Sequence, residues 1–373
     1  MMQSDTNTLV IASAGSGKTT FLVTEALARP GKKIAILTYT INSLNEIKKK
    51  FYEIHGGIPK DIDIVTWFTF LLQDCARPYQ RSVYSKRRVK TIYFTRGRSA
   101  PYIKYTDTEK YYFWNEDEIY SDKIARFIID CEKKSNGLVT KRLASIYDEV
   151  FIDEFQDMSG YDLEVIETFL RASFRMIIVG DPRQCTYTTN NSPKNSKYCG
   201  TGILKKAEEW KSKNLCQIKK QSISFRCNQK ICDFSDRLWT DIGIEKTQSY
   251  NPKITEHDGI FIVSKDNLCE YVRNFSPILL RYDKKTETYG YPALNFGNAK
   301  GLTFDRVLIV PHGPIKKYLQ YGNVNDIIGS REKFYVAVTR ARHSVAFLYD
   351  GKYFEGYIEW NPPTDCGDPP TTF

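Results

Sequence analysis

The run Leu9-Val10-Ile11-Ala12-Ser13-Ala14-Gly15-Ser16-Gly17-Lys18-Thr19-Thr20 constrains what this chain can fold into more than any other stretch. Leu9 to Ala12 suits a strand buried on both faces, Gly15 and Gly17 allow a tight turn, and Thr19 to Ala28 reads as a helix. A strand that enters a glycine-rich turn and leaves as a helix points backbone N–H groups at an anion, which is the context of a P-loop. Gly15, Ser16, Gly17 and Thr20 are then expected to contact a nucleotide, while Lys18 reaches its terminal phosphates and the Thr19 hydroxyl ligates Mg²⁺. The strict GxxxxGK[ST] spacing is broken at its first glycine, where Ala12 stands.

Seven further apolar runs look like buried strands: Ile34 to Leu37, Val150 to Ile152, Ile177 to Val179, Ile260 to Val263, Ile278 to Leu280, Val307 to Val310 and Val345 to Leu348. Helical stretches lie between several of them, at Asn42 to Tyr52, Tyr161 to Ala172, Asn228 to Leu238 and Arg331 to Ala337. This alternation predicts an α/β protein with parallel sheets, and 373 residues allow two or three domains. Residues 74–147 break the rhythm and read as an insertion into a first sheet domain made of 1–73 and 148–203. A polar stretch then introduces a second domain over 204–358, and 359–373, with four prolines after Asn361, reads as a flexible tail.

No apolar run reaches the roughly 18 residues of a membrane span, and the N-terminus lacks a secretory pattern, so a cytoplasmic protein without membrane contact is expected. Nine scattered cysteines without a CxxC pair, and only four histidines, suggest neither a disulfide framework nor a zinc site. The formal charge of +10 favours a polyanionic partner. Between Arg77 and Lys104 stand nine basic residues, among them Arg87, Arg88 and Lys90, with no acid and with tyrosines and Phe94 interleaved. Cations for phosphates and rings for bases make a single-stranded nucleic-acid groove; a solvated basic face over core tyrosines is the alternative.

Val150-Phe151-Ile152-Asp153-Glu154 ends a second buried strand in two carboxylates. Asp153 is expected to hold Mg²⁺ and Glu154 to polarise the attacking water, the two jobs of in-line phosphoryl transfer. Extended to Asp153-Glu154-Phe155-Gln156-Asp157, the string following a P-loop resembles the superfamily 1 helicases of the UvrD/Rep type. Further matches follow in order: Leu37-Thr38-Tyr39-Thr40, Val65-Thr66-Trp67-Phe68, the stretch from Val179-Gly180-Asp181 to Thr186-Tyr187, Ser224-Phe225-Arg226, the stretch from Asn298 to Asp305, and Tyr335-Val336-Ala337-Val338-Thr339-Arg340-Ala341-Arg342.

The resemblance implies two RecA-like parallel-sheet domains, a small inserted 1B-like subdomain, and ATP with Mg²⁺ between the two. Lys18, Glu154, Gln184, Arg226 and Arg340 are the catalytic residues it implies. Phe225 would stack on the base, and Gly301 would lie at the nucleotide. Tyr39, Thr40, Thr66, Trp67, Tyr187 and Lys300 would contact the strand beside the basic run. A guanidinium brought to the transferred phosphoryl group can be worth about 10³ to 10⁵ in rate.

Three departures from the family concern base and sugar: no glutamine motif precedes the P-loop, Thr20 replaces an arginine, and Thr303 replaces an acid. Relaxed base selectivity is expected from them. The short interval between Arg226 and Lys300 leaves no room for a 2B-like domain. The expected function is nucleic-acid-stimulated NTP hydrolysis driving 3′ to 5′ translocation on single-stranded DNA, with RNA left open. The alternative is an NTPase sensor that switches a partner nuclease, since the compact layout resembles short UvrD-like companions of nucleases in antiphage systems such as Gabija.

Overall fold

The computed structural model describes residues 6–190 and 192–363 and divides into two compact units, Met1–Ser222 and Ile223–Phe373. In the first unit the strands are β1 (Thr8–Ala12), β2 (Ile34–Thr38), β3 (Ile62–Thr66), β4 (Thr91–Tyr93), β5 (Phe113–Asn115), β6 (Glu118–Tyr120), β7 (Glu149–Ile152), β8 (Arg175–Gly180) and β9 (Gln217–Gln221). Six of them form a parallel sheet in the order β3-β2-β7-β8-β1-β9. Central strands such as IAILT of β2 are buried throughout, as the Val/Ile/Leu runs require of strands covered on both faces. Helices Lys18–Leu27 and Ile41–His55 cover one face, burying Leu22, Val23, Ile47 and Phe51 against Ile36, Phe151 and Ile177. The other face carries Trp67, Phe70 and Phe169, and its core runs on without interruption into Phe113 and Phe127 of the insertion.

The insertion holds a small sheet of order β4-β6-β5 and the helix Ile124–Lys134. The topology places β7, β8 and β1 side by side, with Ile11 opposite Gly180 and Phe151 opposite Ile177. Residues just past the C-terminal ends of these three strands are therefore neighbours. In a parallel sheet that edge is where ligands bind.

The second unit contains β10 (Ile223–Ser224), β11 (Gln248–Ser249), β12 (Gly259–Val263), β13 (Ile278–Arg281), β14 (Ala293–Asn295), β15 (Phe304–Val310), β16 (Ala341–Leu348) and β17 (Ile358–Trp360). Its main sheet, β14-β13-β15-β16-β12-β17, is also parallel. Both units are thus RecA-like α/β domains, as expected. All eight sequence-marked strands fall inside observed ones.

The division between the units lies after Ser222, later than the expected 203/204 boundary. The helix Ile203–Ser212 buries Ile203, Ala207 and Trp210 in the first core, and β9 pairs along β1 from Thr8↔Gln217 to Ala12↔Gln221. The expected tail also starts later than residue 359, because β17 pairs with β12 and buries Trp360. The tail from residue 364 lies outside the described residues. The cysteines of the described residues are free thiols, and no helix among those residues is long and apolar enough to cross a membrane.

Gly180 closes β8 against Phe155 and Gln156, and an added Cβ would collide with the ring of one and the amide of the other. Gly180→Ala is expected to destabilise the chain by about 1–3 kcal/mol through overpacking. Gly57→Ala, whose Cβ would meet nothing within 4 Å, serves as the control in the same urea titration and should stay within about 0.5 kcal/mol.

Candidate active site

Past Ala12 the backbone turns through Gly15 and Gly17, at φ 74° and 80°, before the helix Lys18–Leu27 begins. Both lie in the left-handed region, which glycine enters without strain. Gln221 of β9 braces the loop: its Nε2 donates to the Ser16 carbonyl at 3.0 Å, and its own carbonyl accepts from Ser13 N at 3.1 Å. The helix carries no side-chain cap and no acid in its first turn, so its leading N–H groups suit an anion. The Ser16 hydroxyl is buried with no hydrogen-bond partner among the described residues, as a cradle shaped for a ligand oxygen would leave it.

Asp153 follows β7 and is buried; its N–H donates to the Leu37 carbonyl at 2.9 Å and its Oδ1 accepts from Glu154 N at 2.9 Å. Burial, then the neighbouring Glu154 charge, pushes its carboxyl up to about 8, and Lys18 pulls the other way. Asp181, past β8, is fully buried as well. Burial would raise its carboxyl, but Arg183 and then Lys18 outweigh that and hold it below the usual range. Arg183 Nε donates to Asp181 Oδ1 at 3.0 Å and Gln184 Nε2 to Oδ2 at 2.9 Å. Lys18, Asp153, Glu154 and Gln184 are thus brought together, and the hub is Asp181, a residue to which the sequence reading gave no role. The signal was available: an acid directly after a buried strand, the same pattern that marked Asp153.

Glu154 sits at φ 56°, ψ 42°, a left-handed conformation that costs a non-glycine residue about 1–3 kcal/mol. Gln156 locks it there, donating Nε2 to Glu154 Oε2 while its Oε1 accepts Asp181 N at 3.1 Å. The Thr19 hydroxyl and the Asp153 carboxylate are hard oxygen donors of the kind Mg²⁺ takes alongside phosphates and water. Among the described residues no group of three or more His, Cys, Asp or Glu could hold a metal ion.

In the second unit Arg340 follows the helix Arg331–Val338 and is buried. It donates from Nε to Val336 O at 3.1 Å, from Nη1 to Leu302 O at 3.2 Å and from Nη2 to Thr339 Oγ1 at 3.4 Å. Arg226 Nη1 reaches Thr339 O at 3.2 Å. Both guanidiniums therefore gather at Thr339, with Gly301 one residue before the carbonyl that Arg340 holds. Phe225 is exposed, 5.7 Å from the ring of Tyr250, so it is not core packing, and Tyr250 joins it as an aromatic the sequence did not single out.

The candidate strand contacts fare unequally. Tyr39 is half-buried, Tyr187 is exposed, and burial followed by Asp157, Asp162 and Tyr187 raises the Tyr39 phenol. The Tyr39 ring lies 5.9 Å from the buried Phe68, which meets the exposed Phe94 at 5.2 Å, so aromatic contacts run from the sheet edge into the insertion. Thr40 Oγ1 and Thr66 Oγ1 cap helices, accepting from Ser43 N at 3.0 Å and Thr69 N at 3.3 Å. Lys300 is half-buried in the loop after β14. Trp67 corrects the expectation: it is fully buried, donates Nε1 to Asp162 Oδ1 at 2.9 Å and packs edge-on to Phe169. The helical run that Thr66 caps starts at Trp67 and turns the indole into the core.

The basic run is partly paired. Acids further along the chain fold back onto it: Lys86 pairs with Glu109, Arg87 with Glu116, and Lys90 with Asp117 at 2.7 Å. Arg88 is exposed with no ion pair among the described residues. Tyr84 is buried, whereas Tyr93 stacks on the exposed Trp114 at 4.8 Å.

Residues 1–190 match the family model described as an AAA domain, and residues 130–349 match that of the viral superfamily 1 RNA helicase core domain. The Gabija protein GajB of Bacillus cereus (strain VD045) is 28% identical over 276 residues, covering 70% of this chain and 51% of that protein. The chain thus spans about half the length of this curated relative. Among solved structures, the arterivirus nonstructural protein 10 helicase aligns over 92% of this chain and 59% of its own, at 15% identity and a TM-score of 0.48. The PRRSV helicase aligns over 92% and 52%, at 15% identity and 0.43.

Trp67→Ala should cost about 3–5 kcal/mol in urea denaturation, the range for emptying a buried aromatic site. Phe94→Ala, at 65% exposure, should stay within about 0.5 kcal/mol.

Proposed function

For a chain that belongs to the superfamily 1 helicases, we propose Mg²⁺-dependent NTP hydrolysis stimulated by a single nucleic-acid strand and coupled to movement along it. The observation that carries this reading is the convergence of the Lys18 charge, the buried Asp153 and Asp181, and a strained Glu154 at the edge where β1, β7 and β8 end. Thr19 and Asp153 would hold the Mg²⁺, which supplies charge neutralisation on the phosphate oxygens. The loop N–H groups orient the triphosphate and Lys18 takes its terminal charge. Glu154 draws the proton of the attacking water, and Gln184, fixed by Asp181, orients that water.

By family likeness, Arg226 and Arg340 are the candidates to supply positive charge for the transferred phosphoryl group. Phe225, with Tyr250 beside it, stacks on the base. Stacking reads no base edge, and Thr20 and Thr303 offer no arginine or carboxylate for adenine and ribose, which supports use of ATP with relaxed base selectivity. Tyr39, Tyr187 and Phe94 offer rings to a strand; stacking contributes about 1–3 kcal/mol per base. Single-stranded DNA moved 3′ to 5′ is the reading by family likeness, and RNA is the other candidate strand.

The similarity to a Gabija protein favours a second use of the same chemistry, an NTPase that reports strand engagement to a partner nuclease. Its mark is strand-stimulated turnover without separation of a tailed duplex.

Lys18→Ala and Glu154→Gln should each lower strand-stimulated turnover at least 10³-fold, with the melting temperature unchanged within about 3 °C. Normal turnover in either variant removes the proposed site. With the parent chain, kcat/KM for ATP, GTP and CTP should agree within about tenfold, or about 1.4 kcal/mol; a strict preference for ATP counts against relaxed selectivity.

A further inference from the structure

Within the first unit a cavity of about 100 Å³ opens between the insertion and the loop after β8. Arg98, Lys123, Arg126 and Lys194 line it, with Asp122 and the rings of Tyr111 and Tyr161. That volume is several times the roughly 30 Å³ of a water, yet well below the roughly 300 Å³ at which pockets for drug-sized molecules begin. It suits a small polyatomic ion or a single group on a larger molecule.

The charges decide which. Lys123 is 5% exposed, and its ammonium makes no hydrogen bond or ion pair among the described residues; it lies over the Tyr111 ring, 4.2 Å from Nζ to centroid. Arg126 donates one of its five N–H groups, from Nη1 to Tyr111 Oη at 2.7 Å, and otherwise lies over the rings of Tyr105, Tyr111 and Tyr161 at 4.1, 5.1 and 5.2 Å. Arg98 has no ion pair among the described residues, and Lys194 has a loose one, 3.8 Å to Glu164. Asp122 brings a negative charge to the same lining but forms no ion pair with these cations among the described residues; its two oxygens accept from Ser99 N at 2.9 Å and Ser99 Oγ at 2.5 Å. Lys123 also stands at the cap of the helix Ile124–Lys134, whose first turn has no side-chain cap and no acid. Arg126 has the Asp130 charge one turn along its helix, whereas a largely buried lysine without an ion pair is costly, and ring contacts return only part of that cost. An anion with several acceptor oxygens would satisfy Lys123, Arg126 and the helix N–H groups together.

We infer that this cavity is a phosphate site, built from residues other than those assigned to the triphosphate, and that it holds one tetrahedral phosphate group from a nucleic-acid backbone or from free phosphate. The backbone source rests on the strand reading proposed above. The free source does not.

Two titrations on the full chain separate these sources, with Arg126→Gln and Lys123→Met as variants. A labelled oligothymidylate is bound at increasing salt, and inorganic phosphate is added while the melting temperature is read. If the group belongs to a strand, both variants bind oligothymidylate several-fold more weakly, and Arg126→Gln lowers the slope of log affinity against log salt by about 0.7. If it is free phosphate, the strand slopes coincide and the phosphate-induced rise in melting temperature falls by more than half in both variants. Coincident slopes together with an unaltered phosphate response in Arg126→Gln overturn the site. Should Lys123→Met fail to fold, the exposed Arg98→Gln takes its place with the same expectations. A parent chain whose turnover ignores the strand, but whose phosphate response is lost in the variants, would sink the motor reading and leave this site standing.

Discussion

The hydrolysis proposed for the first unit depends on a charge imbalance buried at one sheet edge. Asp153 and Asp181 are removed from water with Glu154 close by, and the cations acting on them are Lys18 and Arg183. The elevated Asp153 carboxyl and the depressed Asp181 carboxyl are two sides of one shortage: Arg183 is committed to Asp181, and Lys18 is divided between the two acids. A divalent cation beside Asp153 relieves the shortage, and the positive charge then present calls for a polyanion. On the proposed reading, magnesium and triphosphate would suit this edge together better than either alone.

The arrangement is held by strand order rather than by one strong contact. Because β8 lies between β7 and β1, the residues after all three strands meet, and Gln156 ties them by holding Glu154 with one end and the Asp181 N–H with the other. That bridge explains how a left-handed glutamate persists: the surroundings fix its carboxylate and the neighbouring backbone at once. It also explains why Gly180 has no side chain, since Phe155 and Gln156 occupy the space where a Cβ would stand.

What the sequence revealed follows from how each element is buried. Strands covered on both faces are written as continuous apolar runs, so the centres of both sheets were legible, and the phosphate loop announced itself by its glycines. Edge strands carry no such mark: β9 reads QIKKQ and is largely exposed, so nothing local shows that it extends the first sheet and sends Gln221 to brace the loop. The domain boundary was misplaced for that reason. Trp67 was misread because a threonine–aromatic pair marks a motif without fixing the rotation of the helix that follows. The insertion misled in a third way, since its cations are clustered in sequence while the acids that pair with them come later, Glu109 ahead of β5 and Glu116 and Asp117 in the turn between β5 and β6.

This last case separates two kinds of positive charge that composition treats alike. Exposed pairs such as Lys90 with Asp117 are worth about 0–1 kcal/mol and exchange readily for a phosphate, so they provide weak, salt-sensitive attraction spread over a surface. Lys123 is different: its side chain is largely buried, no ion pair meets it among the described residues, and an arriving anion displaces no existing ion pair at its ammonium. The conspicuous run from Arg77 to Lys104 therefore steers, whereas a lysine and an arginine that attract no notice in the sequence are the ones placed to hold. The number of cations in a stretch predicts attraction, but the number of cations left without partners after folding predicts where an anion comes to rest.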